Sequence, residues 1–374
     1  MTKSLNRVVV SRSALVNNFN VCARKSGGVP ILAMVKADAY GHGMEECARV
    51  FSGCGVKAFG VAEVVEGVRL RRAGIREPIF ILAGLLPEFI ETVIAHDLTP
   101  VLVDGGMIDS LAAAAGAQGK TVDVHLKVDA GMGRQGCRLD QAPAVVGKII
   151  SHDSLHLAGI MAHFPMADDP VHGNSVRVLA DFLRMTDKQQ PSRPLKGCRL
   201  HIANSGAIFS VDGAALDMVR PGISLYGYGA DGKEPGMTGG MLQPAMSFVS
   251  RVLQVREVPA GTGLGYGHIF TTSKRTRLAV LPVGYEDGYL RVLSNKAEVL
   301  VHGRRAPVVG RISMNLTLVD VSEIMDVRPG DEAVLLGSQG NERISADEIA
   351  GWMDTISYEV LCLFGHCNSR EYRD

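Results

Sequence analysis

The chain has 374 residues, enough for one barrel-sized domain and a smaller companion. Lys plus Arg and Asp plus Glu both total 39, and 46% of residues are hydrophobic and 21% charged, an ordinary globular composition. That balance argues against an electrostatic footprint for nucleic acid or an anionic membrane, and no apolar stretch approaches the length of a membrane span.

In chain order, Met1 to Val10 holds a short apolar run and no small-residue cleavage pattern, so no secretory signal is expected. Val8–Val10 reads as a short strand, followed by a polar helix-like segment through Ala23. Apolar strand-like runs then recur with helical stretches between them: Ile31–Val35, Ala58–Ala62, Ile79–Ala83, Thr99–Val103, Val122–Val128, Leu157–Ala162, Arg199–Ala203 and Met218–Ile223. Eight such units predict an α/β fold with an N-terminal (β/α)8 TIM-type barrel, which usually takes roughly 200 to 250 residues. The competing doubly wound sheet lacks its Gly-x-Gly-x-x-Gly turn after the first strand.

Asp231–Gly240 is rich in Gly and polar residues and reads as a linker. Beyond it come short β-branched segments, Met246–Val258, Thr276–Pro282, Ala297–Val301, Thr317–Val321 and Glu332–Leu336, with one helix starting near a capping signature at Ser345. The expected division is a barrel over 1–240 and a mainly β domain over 241–374. Seven cysteines form no Cys-x-x-Cys pair, which suggests a reducing, cytoplasmic compartment. Cys362, His366 and Cys367 lie close together, but structural zinc takes four ligands and no second pair is near, so no metal site is expected.

The chemistry centres on Ile31–Gly43. Its first five residues form a run suited to a strand buried on both faces, and Lys36 stands at its end, ahead of Gly41-His42-Gly43. An ammonium there must be paired, solvated or covalently consumed. A Schiff base with pyridoxal phosphate fits, because it needs a fixed amine at the mouth of a rigid scaffold; a lysine snorkelling from a strand end fits equally well. Arg134, His163, Asn204, Ser205 and Arg220 also fall at or just beyond the C-terminal ends of the strand runs, the face on which barrel enzymes build active sites.

The stretch Ala33–Gly43 resembles the cofactor-lysine motif of bacterial alanine racemases. Lys127–Arg134, Ala162-His163-Phe164, Asn204-Ser205, Arg220–Ile223, Gly263–Gly267, Gly310–Asn315 and Tyr358-Glu359 resemble further motifs of that family in the same order. The resemblance implies a homodimeric enzyme that interconverts L- and D-alanine with two bases, Lys36 and Tyr266, and supplies peptidoglycan synthesis. His163 would touch Tyr266 and Arg220, and Arg220 would face the pyridine nitrogen. Tyr40, Ser205, Tyr358 and the amides of Gly222 and Ile223 would hold the phosphate, with Asn204 nearby. Arg134 and the Met314 amide would hold the substrate carboxylate, and Lys127 matches a position where a carbamylated lysine orients that arginine. Tyr285, Arg291, Arg311 and Ile356 match a narrow corridor that favours small side chains. Ser313 and Asn315 depart from the Cys-Met-Asp that many members carry. The second domain of one subunit would complete its partner's site. The competing functions are racemisation of another small amino acid, a non-catalytic pyridoxal-phosphate-binding protein, which would be a barrel alone, and a fold-related decarboxylase, which Arg220 disfavours.

Overall fold

The computed structural model describes residues 4–168, 173–187, 195, 197–233 and 236–374. Its contacts divide the chain into two units: one runs from Leu15 to Ala39 and from Met44 to Leu242, the other takes the residues up to Ala14, Tyr40–Gly43 and Gln243–Asp374. The N-terminal strand, β1 (Arg7–Ser11), thus lies in the β unit rather than in the barrel. It pairs there with distant strands that no local pattern could reveal.

The larger unit is a barrel-like parallel sheet. Strands β2 (Leu32–Met34), β3 (Ala58–Val61), β4 (Ile79–Ile81), β5 (Thr99–Leu102), β6 (Val122–Asp129), β8 (Leu155–Met161) and β9 (Arg199–His201) pair in that order, and a short β7 (Cys137–Arg138) pairs with β6. β2, β3 and β4 are buried along their whole length, as apolar runs covered on both faces should be. Helices such as Met44–Gly53, Val64–Arg72, Ile108–Ala117 and Ala142–Ile150 alternate with them.

The expected eighth strand, Met218–Ile223, is not a regular strand, yet its backbone bonds both edges of the sheet. Leu32 and Met34 of β2 donate to the carbonyls of Val219 and Pro221 at 2.9 and 3.1 Å, while Arg220 donates to Ala203 at 2.9 Å and Asp217 to Leu200 at 3.0 Å. Pro221 has no N–H, so the ladder stops there and the chain turns into the tight helical turn Ile223–Tyr226. The segment read as a linker contains another such turn, Gly236–Thr238, where the Met237 amide donates to Asp231 at 2.8 Å; Glu234 and Pro235 lie outside the described residues.

In the smaller unit, β10 (Met246–Arg251) and β11 (Gln254–Val258) belong to different sheets, although the sequence reads them as one run. The chain crosses over at Val252, which donates to Asp331, and Leu253, which donates to Val280, both at 2.8 Å. The hairpin β12 (Gly263–Leu264) and β13 (Phe270–Thr271) follows. β14 (Thr276–Leu281), β15 (Glu298–Val301), β16 (Arg304–Pro307), β17 (Thr317–Asp320), β18 (Glu332–Gln339), β19 (Glu342–Ile344) and β20 (Arg370–Arg373) complete two sheets. One runs β16-β15-β18-β10-β1-β20, the other β11-β14-β17. Two helices stand where one was expected. Ala346–Met353 starts at Ser345, whose hydroxyl accepts from the Glu348 amide at 3.1 Å, and Ser357–Cys367 follows it.

The helix Ser357–Cys367 packs Phe364 against Phe248 and Tyr289, with ring centroids 4.8 and 6.4 Å apart. At Gly365 the packing is so close that a Cβ would lie 2.0 Å from the carbonyl oxygen of Gly41. Gly365→Ala sets two effects against each other: alanine gains about 1 kcal/mol in helix propensity, while overpacking costs about 1 to 3 kcal/mol or more. The contact is with backbone, which cannot swing aside, so the clash wins. Urea unfolding should show a net loss of stability, whereas Gly351→Ala, where a Cβ meets nothing within 4 Å, should show none.

Candidate active site

β2 delivers Lys36 to the C-terminal end of the barrel, and the chain after it does something unusual for L-amino acids. Ala37, Asp38, Ala39 and Tyr40 all take left-handed helical angles, with φ of 52, 52, 56 and 53°. Each such residue costs about 1 to 2 kcal/mol, so the surroundings must hold the turn. Ala39 donates to the Val35 carbonyl and Ala37 to Glu66, both at 2.8 Å, and Asp38 accepts from the Met44 amide at 3.0 Å and from Arg69 at 3.4 Å. Backbone strain of this degree clusters at functional sites.

Around Lys36 the barrel gathers cations. Lys127 on β6 is largely buried; that burial, followed by the charges of Arg134, Arg220 and Lys36, pushes its amine down to about 8. It donates to Gln135 at 2.9 Å, and Gln135 in turn donates to the Ala83 carbonyl at 2.7 Å. The loop that carries Arg134 is wrapped around Asp129, whose carboxylate accepts from the amides of Gly131, Met132, Gly133 and Arg134 at 2.8–3.1 Å. Burial raises the Asp129 pKa, but those four amides outweigh it and hold the carboxyl below its usual value. The carboxylate is committed to backbone, leaving the exposed Arg134 side chain for another anion.

Arg220 is buried, and burial pushes it down to about 9, which still leaves it charged at neutral pH. Its Nη2 donates to the carbonyls of Ala162 (2.6 Å) and Ile202 (3.1 Å) and reaches His163 Nδ1 at 3.4 Å. Nη1 lies 3.0 Å from His201 Nδ1. A guanidinium only donates, so His201 accepts at Nδ1 and carries its proton on Nε2, from which it donates to His125 Nδ1 at 2.8 Å. Burial, reinforced by Arg220, keeps His163 and His201 neutral, with His163 pushed down to about 3. Neither His125 nor His201 stood out in the sequence. Each is a lone histidine on a barrel strand, and its partner lies tens of residues away.

Of the residues expected to hold a phosphate, some meet one another within each unit. In the barrel, Ser205 accepts from the amides of Gly222 (2.8 Å) and Ser224 (3.3 Å), which puts the hydroxyl against the Pro221-Gly222-Ile223 turn. Asn204 caps the helix Ser205–Ser210, accepting from the Ala207 amide at 3.0 Å, and its side-chain amide lies 3.4 Å from His163 Nε2. In the β unit the rings of Tyr40 and Tyr358 lie 5.9 Å apart, and burial, then Tyr358 and Cys362, push the Tyr40 phenol up so that it stays a protonated donor.

The remaining predicted residues stand on the surface of the β unit. Tyr266 is 69% exposed and Met314 51%. The Met314 loop is braced from both sides. Ser313 Oγ exchanges hydrogen bonds with Leu316 (2.9 and 3.1 Å), and the amides of Tyr285 and Glu286 donate to Ser313 and Met314, both at 3.2 Å. Asn315 donates its side-chain amide to Glu286, a bond an aspartate could not make to a second carboxylate. The two departures from the family motif are thus both used to hold the loop. Arg311 Nε donates to the Tyr266 carbonyl at 3.3 Å.

A lysine amine suits an aldehyde, and the cations gathered around it suit the anionic oxygens of a phosphate-bearing cofactor. At a barrel mouth, that donor set defines the class of barrel-type pyridoxal phosphate enzymes. The family models for the alanine racemase N-terminal and C-terminal domains match residues 10–230 and 245–372. An alanine racemase of Halothermothrix orenii is 40% identical over 372 residues, 98% of this chain and 96% of that protein. The alanine racemase of a D-cycloserine-producing Streptomyces lavendulae superposes with a TM-score of 0.92 at 31% identity, covering 100% of this chain and 98% of that one. That of Bartonella henselae, solved with covalently bound pyridoxal phosphate, gives 0.88 at 28% identity over 98% and 99%. The chain belongs to the alanine racemase family, pyridoxal-phosphate-dependent enzymes that interconvert L- and D-alanine.

Acid stability follows from the buried relay. His125 is pushed from 6.5 to about 3 by burial, then by Arg199 and Arg220. Between those values the unfolded chain binds the proton and the folded chain does not, so stability is present above about pH 6.5 and falls as pH drops towards 3. Urea unfolding at pH 8 and pH 5 should differ by about 2 kcal/mol from this residue alone, and His125→Gln should remove that share of the slope.

Proposed function

We propose that the chain racemises alanine with two bases, Lys36 on one face of the substrate α-carbon and Tyr266 on the other. The observation that carries this is Lys36 itself, held just ahead of a left-handed turn and among Lys127, Arg134 and Arg220 at the barrel mouth. When bound there, pyridoxal phosphate supplies an electron sink for the Cα–H bond. Lys36 takes or returns the proton on its side. Tyr266 serves the opposite side, and the neutral His163 is its hydrogen-bond partner towards Arg220.

Arg220 would hold the ring nitrogen of the bound cofactor with a donated hydrogen bond that cedes no proton, and so would favour racemisation over transamination. Tyr40, Ser205, Tyr358, Gly222 and Ile223 hold the phosphate with Asn204 nearby, and Arg134 with the Met314 amide holds the substrate carboxylate. Lys127, its amine held low, is the form that carbon dioxide can carbamylate, which would replace a cation beside Arg134 by an anion.

The two units correspond in outline to 1–240 and 241–374. The surface of the β unit that exposes Tyr266, Met314, Leu316 and Ile356 completes the barrel site of a second subunit in a homodimer. The enzyme works in the cytoplasm, as its cysteine usage suggests, and feeds D-alanine to peptidoglycan synthesis.

Chiral analysis of L-alanine incubated with protein and cofactor should show D-alanine, reduced about 10²-fold or more in Lys36→Ala and in Tyr266→Phe. An equimolar mixture of the two variants, after subunit exchange, should regain about a quarter of the parental rate, because half the dimers are mixed and each holds one intact site. Absence of D-alanine with cofactor bound would move the assignment to another small amino acid or to a non-catalytic role. Absence of recovery after exchange would sink the shared site.

A further inference from the structure

Glu66 has no place in the assignments above, yet its two carboxylate oxygens serve two different elements. It is the third residue of the helix Val64–Arg72. Oε2 reaches back to the amides of Ala62 (2.8 Å) and Glu63 (3.1 Å), as a capping-box residue should. Oε1 points away from its own helix and accepts from the Ala37 amide at 2.8 Å. That amide belongs to the peptide plane that leaves Lys36. On the other side of the lysine, the Val35 amide donates to the Gly60 carbonyl at 2.9 Å. Lys36 is therefore bracketed by two backbone bonds, one from the neighbouring strand and one from Glu66.

We propose that Glu66 is a positioning residue for Lys36: its Oε1 holds the strained turn after the lysine, and so aims the amine that carries the cofactor. The proposal rests on the reading of Lys36 as the cofactor lysine. An ordinary cap needs only Oε2. The second oxygen joins the helix that follows β3 to the turn that follows β2, where left-handed angles begin at Ala37 and no glycine relieves them until Gly41. Without that acceptor the Ala37 amide loses its hydrogen-bond partner, and the turn loses a hold on the peptide that leaves the lysine.

Glutamine separates the two roles, because it has one accepting oxygen and can cap its helix or hold Ala37 but not both. The test uses the full chain, stripped of cofactor and titrated with pyridoxal phosphate by absorbance, together with thermal melting and amide exchange at Ala37. Borohydride reduction and peptide mapping locate the attached lysine. Glu66→Ala should bind the cofactor about tenfold or more weakly, in the range seen when a support behind a ligating group is removed. It should also shift the pH at which the lysine–cofactor band titrates and speed exchange at Ala37. Glu66→Gln should fall between the two while melting close to the parent, which keeps the test decisive if the alanine variant folds poorly. Ser345→Ala, which removes a helix cap in the other unit, should lower stability and leave cofactor affinity unchanged.

Unaltered affinity and titration in both Glu66 variants would overturn the proposal, as would an equal loss in Ser345→Ala. A reducible adduct that persists in Lys36→Ala, or that maps to another lysine, would instead overturn the reading of Lys36 on which the proposal stands.

Discussion

The crowding of positive charge at one barrel mouth is the constraint to which the rest of the structure answers. Lys36, Lys127, Arg134 and Arg220 act electrostatically on one histidine, His163, and together with its burial they keep it neutral. Asp129, held ionised by four backbone amides, offsets only part of this effect at Lys127. A site built this way favours an anionic occupant over any neutral one. The same cations, after burial, lower the amine of Lys127, because each neighbouring positive charge lowers the cost of losing a proton.

Much of the barrel was legible because its strands are buried on both faces and read as short apolar runs, as Ile79–Ile81 and Ala58–Val61 show. The eighth position was misread for a local reason: Pro221 removes a donor in the middle of a pattern that otherwise looks like strand. Met246–Val258 was misread for a global one. Crossing from one sheet to another at Val252 and Leu253 needs no break in the alternation of side chains, so the pattern carries no mark of it. The place of β1 was beyond local reading altogether, since its partners, β10 and β20, lie more than two hundred residues away.

The site divides in the same way. Lys36 could be singled out because an amine at the end of a buried run demands an explanation, and the ordered motifs then supplied the other candidates. His201 and His125 could not, since a strand histidine more often satisfies the core than a reaction. Their importance comes from pairings with Arg220 and with each other that only the fold brings about. Glu66 was hidden differently: as the third residue of a helix it already has an adequate local purpose, and its second oxygen becomes visible only when Ala37 is seen across from it. Ser313 and Asn315 read only as departures from a motif, whereas the loop uses both, one to close the Leu316 turn and the other to tie Glu286.

The Arg220 relay shows why position and protonation have to be considered together. A guanidinium that donates to two carbonyls and a histidine has its orientation set by acceptors on two neighbouring strands and the segment beyond them. Its charge is fixed as well, because even after burial it stays protonated at neutral pH. The histidines behind it have no choice of tautomer: Arg220 dictates that His201 accepts at Nδ1, and His201 then dictates that His125 accepts at Nδ1. Under the proposed role, a ring nitrogen facing Arg220 meets a rigid donor that cannot become an acid. A carboxylic acid in the same place would share a proton with that nitrogen and draw electron density into the ring, so in the proposed role a buried arginine would favour racemisation over chemistries that need a deeper electron sink.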